Sequence, residues 1–203
     1  MAPISSITEL ASAQEGYFTR AQAHELGIDD AGLRRALLSS RLSQPHRGVY
    51  RFAGAPIHSH EKLWAAWMGI DPIQPLWEKR SNPHALVFGP SALAVFGVGS
   101  VPSSLHSFAV DRLRRTRHDD TKLFHRKWVR KDFQLVQGMA VARIEWCIAE
   151  LHKVGLDPTY LNDVLRDARW RNLIDEDYLQ ECIDTSKTPS KAPPPLVDID
   201  LPI

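Results

Sequence analysis

The 203-residue sequence predicts an α+β chain: three short capped helices closed by a glycine-tipped hairpin, then a mixed α/β region, then a proline-rich tail. Three features lead there. Two capping-box patterns fall within the first 22 residues, strand formers flank Gly48, and strand-like segments give way to helical apolar stripes beyond Ile144.

Ser6-Ile-Thr-Glu9 pairs a hydroxyl with a carboxylate three residues on, so each can satisfy a backbone donor at a helix start. Ile7, Leu10 and Ala11 then share one face. Thr19-Arg-Ala-Gln22 is a second capping box, with Phe18 before it as a hydrophobic staple and Gly27 as a stop. Asp29 and Asp30 offer an N-cap and a first-turn acid to a third helix reaching about Ser40. From Leu42 to Phe52, Gly48 turns the chain between strand formers, and Val49, Tyr50 and Phe52 favour strand. Three helices plus a hairpin, residues 1–54, make a winged helix-turn-helix.

A helix from His58 to Met68 carries Leu63, Trp64 and Trp67 and is expected to bridge to a second domain over residues 55–185. Asp71 to Pro83, with three prolines, is expected to be an irregular crossing loop. A short helix is predicted at 91–96, strands at 105–110, 122–125 and in a pair turning at Gly138, and then helical stripes ending at 175–183. The segment 186–203, with five prolines, is expected to be a flexible tail.

Hydrophobic residues make up 43% and charged residues 24%, an ordinary globular balance without a membrane-length apolar run. Met1 to Gln14 lacks a signal-peptide pattern, so a cytoplasmic location is expected. Two cysteines, Cys147 and Cys182, cannot build a zinc cage and are expected to be reduced thiols. The net charge of +1 hides an asymmetry: Arg112 to Lys131 holds nine Lys/Arg against two acids, and Glu145 to Ile203 six against twelve.

With Leu33, Ala36 and Leu37 turned inward, the third helix presents Ala31, Arg35 and Leu38 outward and Arg34 on a flank. Arg35 is then placed for a guanine edge and Arg34 for phosphate. Thr19, Arg20 and Gln22 near the second helix start, Arg41 at the third helix end, and Gln44, His46 and Arg47 around the wing turn complete the candidate DNA-binding set. The basic cluster Arg112, Arg114, Arg115, Arg117, Arg126, Lys127, Arg130 and Lys131 has three readings: a solvated rim, a phosphate track or a contact for an acidic partner. His58-x-His60-Glu61 and His118-Asp-Asp120 with His125 are the two groupings that invite a metal, but helix geometry splays the first pair and surface His-Asp pairs are usually solvated, so no metal and no cofactor is expected. Ser91 lacks a G-x-S-x-G elbow and reads as a helix cap. Most of the six tryptophans, Trp64, Trp67, Trp146 and Trp170 among them, are expected in packed helical stripes.

The segments Gly16-Tyr-Phe-Thr-Arg-Ala-Gln-Ala-His-Glu-Leu-Gly27, Leu33 to Leu42 and His46-Arg-Gly-Val-Tyr50 together resemble the N-terminal winged helix of the AbiEi antitoxin family. Phe88 to Gly97, Leu105 to Val110, Arg112 to Arg117 and Gly138 to Glu150 are similar to the region C-terminal to that winged helix in actinobacterial members. The resemblance implies an antitoxin that neutralises a nucleotidyltransferase-like toxin, directly or indirectly, and represses its own operon by binding double-stranded promoter DNA. No Asp and Glu-x-Lys set of the kind found in nuclease-bearing relatives is present, so no enzymatic activity is expected. A stand-alone winged-helix regulator with a ligand-sensing or oligomerisation domain is the alternative.

Overall fold

In a computed structural model, residues 3–113, 115–116 and 118–187 are described. The chain opens with α1 (Pro3–Ser12), β1 (Tyr17–Thr19), α2 (Arg20–Glu25), α3 (Asp30–Leu38), β2 (Leu42–His46) and β3 (Val49–Phe52). The three strands form an antiparallel sheet in the order β1-β3-β2, and with α1–α3 they make a winged helix. Thr19 completes its predicted box with Gln22, and Asp29 caps α3 by accepting from Gly32 N at 2.8 Å. At α1 the expectation fails: the helix begins at Pro3, so Ser6 lies inside it. Proline has no N–H to leave unpaired, which suits a first helical position. The strand β1 was not expected either, because three residues are too few for an alternation to register.

Next come α4 (Glu61–Gly69), α5 (Leu76–Ser81), β4 (Ala85–Val87), α6 (Gly89–Phe96), β5 (His106–Val110), β6 (Thr121–His125), a 3-10 turn (Arg130–Asp132), β7 (Phe133–Val136) and β8 (Met139–Ala142). Helices α7 (Ile144–Lys153), α8 (Pro158–Trp170) and α9 (Glu176–Lys187) complete the order. The second sheet is mixed, in the order β6-β5-β4-β8-β7, with β5∥β6 and β4∥β8 and antiparallel pairs between. The expected crossing loop contains α5, which starts directly after Pro75. Proline at that point restrains the chain ahead of a helix without interrupting its hydrogen bonds. Of the predicted tail, residues from 188 on lie outside the described residues, while α9 runs four residues past its expected end.

Alternation along the small sheet divides it between two cores. Phe18, Leu42 and Tyr50 pack with Ile7, Ala11, Ala23 and Leu33 under the helices α1–α3. Tyr17 and Val49 point to the opposite face and join the large core with α4 and the second sheet. Helix α4 is buried at every position from Leu63 to Met68, the signature of a helix covered on all sides. Trp67 Nε1 donates to Ala85 O at 2.9 Å, tying α4 to β4. At its start, Glu61 Oε1 accepts from Arg51 Nε at 2.7 Å and from Tyr17 Oη at 3.1 Å, joining α4 to β3 and β1.

Three local expectations are corrected. Trp170 is 84% exposed at the end of α8, where it lies beyond the stripe of Leu161, Val164 and Ala168 that faces the core. Ser91 is not the cap of α6, whose N-cap is Phe88; its Oγ instead accepts from Ser107 N at 2.9 Å and ties α6 to β5. The helix expected from His58 begins at Glu61, and His58 and His60 ahead of it engage the β7–β8 turn, with His58 Nε2 2.6 Å from Gln137 O and His60 Nδ1 2.8 Å from Gln137 Oε1.

Gly99 and Gly155 separate two costs of replacing a left-handed glycine. Both have positive φ, +59° and +77°. A Cβ at Gly99 would lie 2.5 Å from Val164 Cγ2 and 3.2 Å from its backbone, whereas one at Gly155 would meet nothing within 4 Å. Gly155→Ala should therefore lose only the conformational term, about 1–2 kcal/mol, and Gly99→Ala about 1–3 kcal/mol more. Equal urea-unfolding midpoints for the two variants would contradict this packing.

The cysteines follow their burial. Cys147 is fully enclosed and its thiol is pushed far above the ordinary range by desolvation. Cys182 is pushed up to about 11, chiefly by burial, against the lowering effect of the Tyr178 hydroxyl. A raised pKa means that the folded chain holds the proton more tightly than the unfolded chain does. The resulting stability is complete below about pH 9 and is lost as pH rises through about 11. At pH 8 the Cys182 thiolate fraction is on the order of one in a thousand. Ellman's reagent should label native Cys182 slowly and faster with each step up in pH, and both cysteines quickly in guanidinium chloride; fast native labelling at pH 8 would refute it.

Candidate nucleic-acid interface

The turn between α2 and α3 passes through Gly27 at φ +78°, and Ile28 N donates to Ala23 O at 2.9 Å to close it. On α3, Leu33 is buried and Ala36 and Leu37 are half-buried against the small core. Ala31, Arg34, Arg35 and Leu38 stand outward, Leu38 at 78% exposure. Among the described residues neither arginine side chain has an ion-pair or hydrogen-bond partner. At the wing, His46 and Val49 flank a turn with Gly48 at φ +79°, and Gln44 and Arg47 are exposed beside it. Arg41, past the end of α3, is exposed and donates to Ser39 Oγ at 3.0 Å.

Other predicted contacts sit differently. Thr19 and Gln22 are buried: Gln22 Oε1 accepts from Thr19 N at 2.9 Å, and Gln14 Nε2 donates to the same oxygen at 3.0 Å. Gln22 is consumed in tying α2 to Gln14 in the turn after α1, and Thr19 Oγ1 accepts from Gln22 N and donates to Pro72 O. Arg20 is exposed but forms a two-pronged ion pair with Asp30. That guanidinium, joined by His24, holds the Asp30 carboxyl well below the usual carboxylate range. His46 is only 8% exposed and contacts Asp120 rather than solvent. The outward group therefore comprises Arg34, Arg35, Arg41, Gln44 and Arg47, with Arg20 already neutralised at its edge.

The basic cluster disperses. Arg126 donates to Glu150 Oε2 at 2.8 Å, and Lys131 reaches Glu181 Oε1 at 2.5 Å, so both charges are answered by the acidic C-terminal helices. Arg130 lies over the Phe133 ring at 4.7 Å and donates to Phe133 O at 3.0 Å. Arg112 approaches Asp111 at 4.0 Å and stays largely exposed, and Lys127 is exposed as well. Arg114 and Arg117 lie outside the described residues. Sequence reading placed Arg126 and Lys131 but could not foresee Glu150 and Glu181, which lie 24 and 50 residues further along the chain.

No described helix is long and apolar enough to cross a membrane. No curated protein matches the chain. Among solved structures, the crystal structure of RV2827C protein from Mycobacterium tuberculosis aligns with a TM-score of 0.51 at 15% identity, covering 88% of this chain and 70% of that one. That likeness extends the agreement in fold across both sheets. Over residues 5–53, the stretch that holds α2, α3 and the wing, the chain matches the AbiEi_4 family, described as "Transcriptional regulator, AbiEi antitoxin".

Proposed function

We propose that this chain is an antitoxin that represses its own operon by laying α3 in the major groove of promoter DNA, and that neutralises a nucleotidyltransferase-like toxin through the region beyond residue 54. The observation that carries it is the outer face of α3, where Arg34 and Arg35 stand outward, on a segment that matches a transcriptional-regulator family and also carries the exposed Arg47 of the wing. An α-helix fits the major groove, where a guanidinium can pair with guanine O6 and N7. Arg35 takes that role, Arg34 and Arg41 contact phosphate, and Gln44 and Arg47 reach the backbone or adjacent minor groove. Thr19 and Gln22 support the motif from within. Repression needs no catalysis, since an occupied promoter is closed to transcription.

Binding to a duplex of the chain's own upstream region should show two kinds of loss. Arg35→Ala should weaken the specific duplex about 5- to 150-fold and leave scrambled DNA nearly unchanged. Arg34→Ala and Arg47→Ala should weaken both duplexes alike and shrink the salt slope by about 1 each. Equally weak binding of parent chain to specific and scrambled duplexes, in gel shifts at two salt concentrations, would overturn specific repression.

For toxin neutralisation, the basic stretch before β6 is the first candidate contact. Replacing Arg114, Arg115 and Arg117 with alanine should abolish rescue of cells expressing the neighbouring toxin gene, with DNA affinity and salt slope unchanged. Loss of DNA affinity with intact rescue would assign the stretch to phosphate instead. A directly masked toxin co-purifies with the antitoxin; rescue without co-purification would point to an indirect effect.

A further inference from the structure

One buried polar side chain near the wing takes no part in the outward face. His46, at the end of β2, has a side chain only 6% exposed, with Nε2 3.3 Å from Asp120 Oδ1. Its Nδ1 is sealed and has no hydrogen-bond partner among the described residues. The His118 ring lies 4.6 Å away between centroids, tilted by 42°. A buried imidazole satisfied by one long contact to a half-exposed carboxylate is poorly explained as core packing.

Topology brings these residues together. The strands β5 and β6 are parallel, so the connection between them must run back the length of β5, and His106 N donates to Asp120 O at 2.7 Å where it returns. That return delivers His118 and Asp120 to the edge of the small sheet, 74 residues from His46 for the aspartate. One ligand atom from each of His46, His118 and Asp120 then lies within 4.8 Å of the other two. Tetrahedral coordination at about 2.0–2.2 Å sets ligand atoms roughly 3.3 Å apart. The His46–Asp120 distance of 3.3 Å already equals that edge.

We propose that His46, His118 and Asp120 form a site for a divalent transition-metal ion of the zinc class, with solvent in the fourth position. Two imidazoles and one carboxylate are the donor set that such ions favour. Arg47 and Lys62 also face this hollow, and Asp119 with Asp120 offsets their charge. The half-exposed Asp120 leaves the fourth position open. Occupancy would clamp the end of β2, and so the base of the wing, to the second sheet.

The test uses the full chain without a histidine tag, stripped with chelator and titrated with Co²⁺ as a spectroscopic probe and with Zn²⁺ by calorimetry. One Co²⁺ per chain is expected, with tetrahedral d–d absorption, no thiolate charge-transfer band, and displacement by Zn²⁺. At a hundredfold excess of Zn²⁺ over Kd, the melting temperature should rise on the order of 5–10 °C. His118→Ala and Asp120→Asn should each lose at least about tenfold in affinity while the metal-free variants melt close to the metal-free parent. The pair His58→Ala/His60→Ala should bind as the parent does. Absence of stoichiometric binding, a thiolate band, or affinity indifferent to His118→Ala and Asp120→Asn would each overturn the site, whatever the outcome of the DNA experiments.

Discussion

Burial of α4 on all sides is the constraint on which the rest of the architecture depends. A helix with Leu63, Trp64, Ala65, Ala66, Trp67 and Met68 all enclosed needs a partner surface in every direction. The small sheet supplies one with Tyr17 and Val49, and the mixed sheet supplies another. Fully burying a large apolar side chain contributes about 1.5–3 kcal/mol, so the two tryptophans alone outweigh any exposed ion pair in the molecule. The Arg51–Glu61–Tyr17 contact then sets orientation where apolar packing is indifferent to it. Arg51 is only 7% exposed, and removing Glu61 would leave its charge buried without an acid.

Charge obeys a different logic on the two halves of the surface. Toward the C-terminus, basic residues find acids: Arg126 with Glu150, Lys131 with Glu181, Arg143 with Glu145, and Arg169 with Glu176. The surplus of acid after Glu145 in this way partly answers the basic stretch before it. For the outward Arg34, Arg35, Arg41 and Arg47 no such pairing develops among the described residues, although Asp29 and Asp30 are nearby. Asp29 is occupied as an N-cap and Asp30 by Arg20 and His24. Local acids are thus used up by helix ends and neighbours, and the outward arginines keep their charge unanswered among the described residues.

Much of the winged unit is legible in the sequence because its signals are local. A capping box spans four residues, an N-cap acts within three, and a glycine turn needs only its neighbours, so the second box, Asp29 and Gly48 can be read directly. What cannot be read depends on distant partners. Thr19 and Gln22 look like helix-start polar groups available to phosphate, yet Gln14 eight residues earlier draws Gln22 inward. In the sequence, His118 and Asp120 group with their neighbour His125. The parallel register of β5 and β6 sends His125 to Asp111 O, 3.2 Å away at the opposite end of the strand, and brings in His46 instead. Trp170 misleads in another way: composition marks tryptophan as core, and only the last turn of α8 reveals that the stripe has rotated off the core before it.

The division of the small sheet between two cores also limits how the two halves can communicate. A reading unit on a flexible tether would be indifferent to what binds the other half. Here Tyr17 and Val49 lie on strands that carry Phe18 and Tyr50 on the reverse face, under α3. Close-packed interiors shift between discrete arrangements rather than deforming smoothly. A partner that moves α4 relative to the mixed sheet must therefore carry the small sheet with it, or open the large core. The first is far less costly, because it preserves every buried contact of α4 with Tyr17 and Val49. A partner that shifts the wing relative to the mixed sheet would therefore be felt by the other half to the same degree, because such linkage is reciprocal.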